Sequence, residues 1–176
     1  MKSFSYVQQQ DEKDCGVACL AMILKYYKTE IPIHKLREFS GTDLEGTSAF
    51  GLKATMEKLD FDCLAIQAEK GIWQEKELPL PLIAHVVVDN SYMHYVVIYD
   101  VNGEKLLIAD PAKGKRKQTI EDFSQEWTGV LLLPTPKDSY TPSKEKVAGL
   151  SSFLPVIWQQ KNLVFHIVLA AFFITL

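Results

Sequence analysis

The 176 residues suffice for one proper hydrophobic core and a small appendage. The composition, 47% apolar and 23% charged, is that of an ordinary globular domain, and a net charge of -3 leaves no electrostatic footprint for nucleic acid. Three irregularly spaced cysteines, Cys15, Cys19 and Cys63, fit neither a disulfide framework nor a zinc site, so a reducing, intracellular setting is expected, with no metal and no cofactor in the chain.

The opening "MKSFSYVQQQ" lacks the apolar segment of a signal peptide. A first helix is predicted from Cys15 to about Tyr27, with Asp14 as N-cap and Val17, Leu20, Ala21 and Leu24 turned inward. A short second helix covers Ile33 to Phe39, with Pro32 at its first turn and Gly41 just past its end. A third runs from Ser48 to Leu59. Between these two, "GTDLEGTS" (41–48) has the glycines of a phosphate-binding loop, but Thr47 stands where the lysine must be and no strand feeds it. Nucleotide binding there is rejected.

Strands are predicted at 61–68 and 80–89, and residues 91–111 have the form of a β-hairpin around Asn102-Gly103. The basic run "KGKRK" (113–117) reads as a solvated loop. A short helix from Ile120 to Trp127, capped by Thr119, leads into a last strand, "TGVLLLP". Helices first and antiparallel strands second make an α+β domain over residues 1–135. A polar, proline-bearing link (136–150) follows. From Asn162 to Leu176 fifteen residues pass without a formal charge, apart from a possible one on His166. A membrane span takes about 20 residues, so residues 151–176 read as an interfacial segment and the start of a transmembrane helix. Trp158 and Lys161 stand where an interfacial belt would put them, and Lys144, Lys146 and Lys161 would hold the upstream domain on the cytoplasmic side.

The chemistry centres on Cys15. A helix N-terminus carries roughly half a positive charge and free N–H groups, which favour a thiolate there. Cys19, a turn deeper on an apolar face, lacks that placement. Asp14 opposes the thiolate unless its side chain is taken up in capping. An activated cysteine needs a base and the base an orienting partner. Of four histidines, His34 lies on a short exposed helix, His166 in the tail, and His85 inside an apolar strand as a satisfied core residue. His94 lies in the first arm of the hairpin, whose second arm ends at Asp110-Pro111. With a Val101-Asn102-Gly103 loop, Val96 pairs with Ile108, Ile98 with Leu106, and His94 faces Asp110. A two-residue Asn-Gly turn would send His94 and Asp110 to opposite faces; both registers pair apolar residues, and catalysis requires the first. Acyl transfer also needs oxyanion donors. The Cys15 N–H is one, and any of Gln8, Gln9 and Gln10 could supply the other.

"QQDEKDCGVACLAMI", a glutamine, four residues and then Asp-Cys-Gly, together with "MHYVVIYD" and "LLIADP", resembles the N-terminal peptidase domain of bacteriocin-processing ABC transporters. The resemblance covers residues 1 to about 135 and implies a papain-like cysteine protease fold. It implies Cys15 as nucleophile, His94 as base, Asp110 as the residue orienting the imidazole, and Gln9 as oxyanion donor. It further implies a domain on the cytoplasmic side of a bacterial cell membrane that removes double-glycine leaders from bacteriocin or signalling-peptide precursors. The partners implied are the leader peptide, the membrane and the remaining domains of an exporter that works as a homodimer, with ATP bound in a nucleotide-binding domain outside this chain. The leader is expected to lie as an amphipathic helix in a shallow apolar groove. Two rival readings are a non-catalytic leader-docking module and a papain-like amidase acting on another amide.

Overall fold

The computed structural model describes residues 4–75, 77–89, 91–145 and 158–175. The chain divides into two compact units, residues 1–145 and 146–176.

In the first unit the apolar run after Asp14 forms α1 (Cys15–Tyr26), and every residue from Cys15 to Leu24 is buried. The expected single inward stripe is therefore too narrow. α1 is packed between the sheet and two further helices, so all its sides are interior, as a helix apolar all round must be. Those helices are α2 (Ile33–Ser40), ended by Gly41 in the left-handed conformation at φ 63°, and α3 (Ala49–Lys58). Ser48 caps α3 by accepting the Gly51 N–H at 3.1 Å. A Cβ on Gly51 would lie 2.2 Å from the Ser40 carbonyl oxygen, so the approach of α3 to the end of α2 requires glycine.

The rest of the unit is a six-stranded, wholly antiparallel sheet: β1 (Phe61–Gln67), β2 (Leu82–Val88), β3 (Tyr92–Asn102), β4 (Lys105–Asp110), β5 (Gly114–Thr119) and β6 (Trp127–Pro136). The strands lie in the order β1-β6-β2-β3-β4-β5. Strand alternation splits the core in two. Ile83, Tyr95, Val97, Ala109 and Leu132 pack against the helices. Leu82, Val96, Ile98, Ile108 and Leu131 pack on the opposite face around Phe123 of α4 (Ile120–Glu126). Trp73, from a 3-10 turn at Lys70–Gln74, also sits there, 5.7 Å from the Phe123 ring.

Three expectations need correction. The basic run at 113–117 is not a solvated loop: it forms most of β5, pairing with β4 at the sheet edge. Exposed lysines on an unpaired edge discourage further strand addition. Second, neither anticipated hairpin register occurs. Asn102 pairs with Lys105 across a turn at Gly103-Glu104, and Val101 pairs with Leu106. A bulge at Tyr99 then shifts the ladder by one residue, so that Ile98 meets Ile108 and Val97 meets Ala109. Third, the folded body runs past 135. Residues 137–145 lie back on it: Tyr140 packs on Phe61 at 4.6 Å between ring centroids, and Lys35 pairs with Glu145.

In the second unit residues 161–175 form α5 (Lys161–Thr175). Among the described residues no helix is long and apolar enough to cross a membrane. Trp158 is 77% exposed. Residues 146–150 of the expected link and 151–157 of the expected interfacial segment lie outside the described residues.

Candidate active site

Asp14 does not cap α1. The preceding 3-10 turn, Glu12–Asp14, is closed instead by Asp11 accepting the Lys13 N–H at 3.2 Å and by Asp14 accepting the Asp11 N–H at 3.1 Å. Asp14 is 1% exposed, and its carboxylate is gripped by Arg37 of α2: Nε donates to Oδ1 at 2.7 Å and Nη2 to Oδ2 at 2.6 Å. These Arg37 hydrogen bonds, against the opposing effect of burial, hold the Asp14 carboxyl below the usual range. The first-turn N–H groups of α1 thus lack a side-chain acceptor from Asp14. Cys15 opens that turn, 6% exposed. Gly16 follows because a Cβ there would press within 3.1 Å of both Thr47 Cβ and Leu52 Cδ2.

The Tyr99 bulge decides whether Asp110 shares a face with His94. Continuing the register next to the turn would set Asp110 on the face away from His94. Beyond the bulge, Asp110 falls diagonal to His94 on one face, within reach of both side chains. His94 Nε2 and Asp110 Oδ1 are 2.9 Å apart, in a pair that is 2% and 1% exposed. Asp110 Oδ1 also accepts the N–H groups of Ala112 (2.9 Å) and Lys113 (3.2 Å). Burial pushes the Asp110 carboxyl up, but His94 and these N–H groups outweigh it, so the net direction is down. Burial likewise pulls the His94 ring down, and Asp110 followed by the Cys15 thiol overcomes it, raising the ring to about 9. With Nε2 donating to the carboxylate, Nδ1 is the nitrogen left for exchange with sulfur; it is buried and makes no hydrogen bond to the described residues.

The glutamines separate by burial: Gln8 and Gln10 are exposed and Gln9 is half-buried. The Gln9 N–H donates to the Pro111 carbonyl at 3.1 Å, as does the Tyr6 hydroxyl at 3.1 Å, which ties this segment to the end of β4 beside Asp110. The Gln9 Oε1 is buried without a partner among the described residues.

The other expected bystanders behave differently from one another. Burial raises Cys63 to about 11 and moves Cys19 well above its ordinary value, so both stay protonated thiols. His34 is exposed. His85 is not a sealed core residue. It is half-buried, its Nδ1 lies 3.0 Å from Thr128 Oγ1, and it lines the cleft next to Cys15.

That cleft, about 440 Å³, was not visible in the sequence. The 41–48 segment, discarded as a nucleotide loop, forms one wall, and His85, Tyr92, Met93 and Tyr95 form the other. Tyr92 of that wall donates to the Glu12 carbonyl at 2.7 Å, with its ring 5.9 Å from that of His94. Arg37 and Arg116 were also missed. Arg116 Nη2 lies 4.0 Å from Asp110 Oδ2 while donating to Glu126 at 2.8 Å, and only the inward alternation of β5 would have signalled it.

Helices stacked on an antiparallel sheet, with a cysteine at a helix tip and a buried imidazole–carboxylate pair, define the class as cysteine peptidase. The chain belongs to the Peptidase C39 family, which it matches over residues 3–139. It is 61% identical over 163 residues to the lactococcin-G-processing and transport ATP-binding protein of Lactococcus lactis subsp. lactis, covering 93% of this chain and 23% of that protein. It is 49% identical over 177 residues to the mesentericin-Y105 transport/processing protein of Leuconostoc mesenteroides, covering 99% and 24%. The chain thus spans about a quarter of the length of these relatives. Among solved structures, the peptidase domain of Streptococcus ComA, a bi-functional ABC transporter of a quorum-sensing pathway, aligns with TM-score 0.73 at 34% identity, covering 77% of this chain and 100% of that one. A double glycine motif protease from an AMS/PCAT transporter, in complex with its leader peptide, aligns with TM-score 0.70 at 29% identity, covering 77% and 94%.

Proposed function

We propose that this domain is an endopeptidase that cuts a double-glycine leader from a bacteriocin or signalling-peptide precursor, with Cys15 as nucleophile. His94 takes the thiol proton at Nδ1 while Asp110 holds Nε2. The sulfur attacks the carbonyl carbon of the second glycine, and the resulting oxyanion is met by the Cys15 N–H and the Gln9 carboxamide. His94 then returns the proton to the departing amine. Water, deprotonated by His94, hydrolyses the thioester, releasing the leader and regenerating the thiol. Glycines suit a cleft that Cys15 shares with Tyr92, Met93 and Tyr95, so leader residues further out must supply the affinity. The observation that carries this reading is the buried His94–Asp110 pair, whose free Nδ1 side feels the Cys15 thiol.

That the relatives are processing and transport ATP-binding proteins supports an exporter as the wider setting. In it the domain sits on the cytoplasmic side of a bacterial membrane, fused to an ATP-driven exporter that acts as a homodimer and binds ATP outside this chain, with residues 151–176 leading into its first membrane helix. The test is incubation with a synthetic double-glycine leader peptide read by mass spectrometry. One cut after the second glycine is expected, lost in Cys15→Ala. His94→Ala is expected to bind the leader and not turn over. Binding without cutting by the wild type would make the domain a docking module, and cutting of other amides only would make it an amidase.

A further inference from the structure

We propose that Arg37 is a positioning residue for the nucleophile: its ion pair with Asp14 removes the carboxylate charge that would otherwise oppose a thiolate at Cys15. The proposal rests on Cys15 being the nucleophile. Asp14 is adjacent to Cys15 in the chain, 1% exposed, and makes no side-chain capping hydrogen bond to α1. An unpaired buried carboxylate on the residue next to Cys15 would oppose a sulfur anion there and work against what the helix tip provides. The two parallel hydrogen bonds from Arg37, at 2.7 and 2.6 Å, engage both Asp14 oxygens in the bidentate geometry only arginine offers.

The charges that face Asp14 from neighbouring elements leave this task to Arg37. Asp11 and Glu12, on its own turn, are acidic. Lys13 and Glu45 belong to the cleft wall rather than to the carboxylate's hydrogen bonds. From α2, Arg37 reaches in with a side chain 38% exposed, so its guanidinium keeps water on one side and needs no second partner. The peptide from Ser40 to Gly46 is in turn fastened to the end of α2, with the Thr42 N–H donating to the Arg37 carbonyl at 3.0 Å. The Arg37 side chain thus holds the turn before Cys15, while the backbone at the same position holds the loop that walls the cleft.

The test is the rate at which iodoacetamide alkylates Cys15, resolved by peptide mass, as a function of pH, alongside cleavage of a double-glycine leader peptide. In Arg37→Gln the alkylation profile should move up by about one pH unit, a roughly tenfold slower reaction at pH 7, with kcat/KM for the leader falling in parallel and KM holding. In Asp14→Asn/Arg37→Gln, which removes both charges together, the alkylation profile should return to within about threefold of wild type. Arg37→Lys, a charge without the fork, should fall between. An Arg37→Gln profile that superimposes on wild type overturns the proposal, as does a double variant that stays as slow as the single one, since a purely structural arginine would not be rescued by discarding its partner. If Arg37→Gln does not fold, Arg37→Lys, which leaves Asp14 charged and removes the fork, carries the comparison, and an Arg37→Lys profile that superimposes on wild type overturns the proposal. Failure of the nucleophile assignment would appear separately, as leader cleavage by Cys15→Ala.

Discussion

At the residue scale the site is governed by which charges are buried together. His94 would lose its proton easily if burial acted alone, yet Asp110 and the Cys15 thiol raise the ring to about 9, above the ordinary 6.5. The sign of the pH dependence follows. Because the folded value lies above the unfolded one, the stability contributed by the protonated ring is fully present below about pH 6.5 and is lost as pH rises through about 9. The difference in urea midpoint between wild type and His94→Gln should therefore shrink between pH 6 and pH 9.5. Cleavage should fall over the same alkaline range, since the departing amine needs the imidazolium proton. A stability difference that widens with pH would show that the ring is neutral in the folded protein. The carboxylate partner carries the opposite dependence, being held below its usual range and lost only in acid.

At the element scale, close approach and register shape the site, and they divide what the sequence could reveal. The helix boundaries were legible because their signals are local: Pro32 before α2, Gly41 after it, Ser48 capping α3, Thr119 capping α4. β5 was not, because an edge strand reading "GKRKQT" carries no apolar stripe of its own. The hairpin register was not either. Apolar pairs form in any frame, and the frame is set by a bulge at Tyr99, whose hydroxyl donates to the Ser5 carbonyl at 2.6 Å from outside the hairpin. His94 and Asp110 were thus placed on one hairpin correctly but face each other diagonally, for a reason no local pattern contains. The partner of Asp14 was equally hidden, being an arginine 23 residues away on another helix. Close approach gives the sharper prediction. A methyl group at Gly51 would meet the Ser40 carbonyl at 2.2 Å, backbone against backbone, which a rotamer change cannot relieve. Gly51→Ala should therefore destabilise the domain by about 3 kcal/mol or more in denaturant melts, despite the better helix propensity of alanine. An unchanged or raised midpoint would mean that α2 and α3 can separate at little cost.

At the scale of the whole molecule, the body must be delimited by what packs on it, and composition misleads here. Residues 137–145 are polar and proline-bearing, as a linker would be, yet they are fastened to the segment between α1 and α2, to α2 and to β1. The Ser143 N–H donates to Thr29 Oγ1 at 3.1 Å, the Glu30 N–H to the Ser143 carbonyl at 2.9 Å, and the Glu145 N–H to the Glu30 carbonyl at 2.9 Å. Tyr140 sits edge-on to Phe61 and Tyr27, with ring centroids at 4.6 and 6.4 Å, and reaches the Tyr27 carbonyl at 3.3 Å. Lys35 and Lys144 pair with Glu145 and Glu30, but these exposed ion pairs add little. The aromatic contact and its hydrogen bonds therefore carry the stabilisation, roughly 3 kcal/mol for a half-buried tyrosine with two ring neighbours. A chain ended at Pro136 should melt about 10 °C below one ended at Glu145, a difference Tyr140→Ala in the longer chain should largely reproduce. Both chains retain every residue assigned to the chemistry, so near-equal leader cleavage is expected from each well below its melting temperature. Equal melting temperatures would make residues 137–145 a true linker and return the boundary to the end of β6.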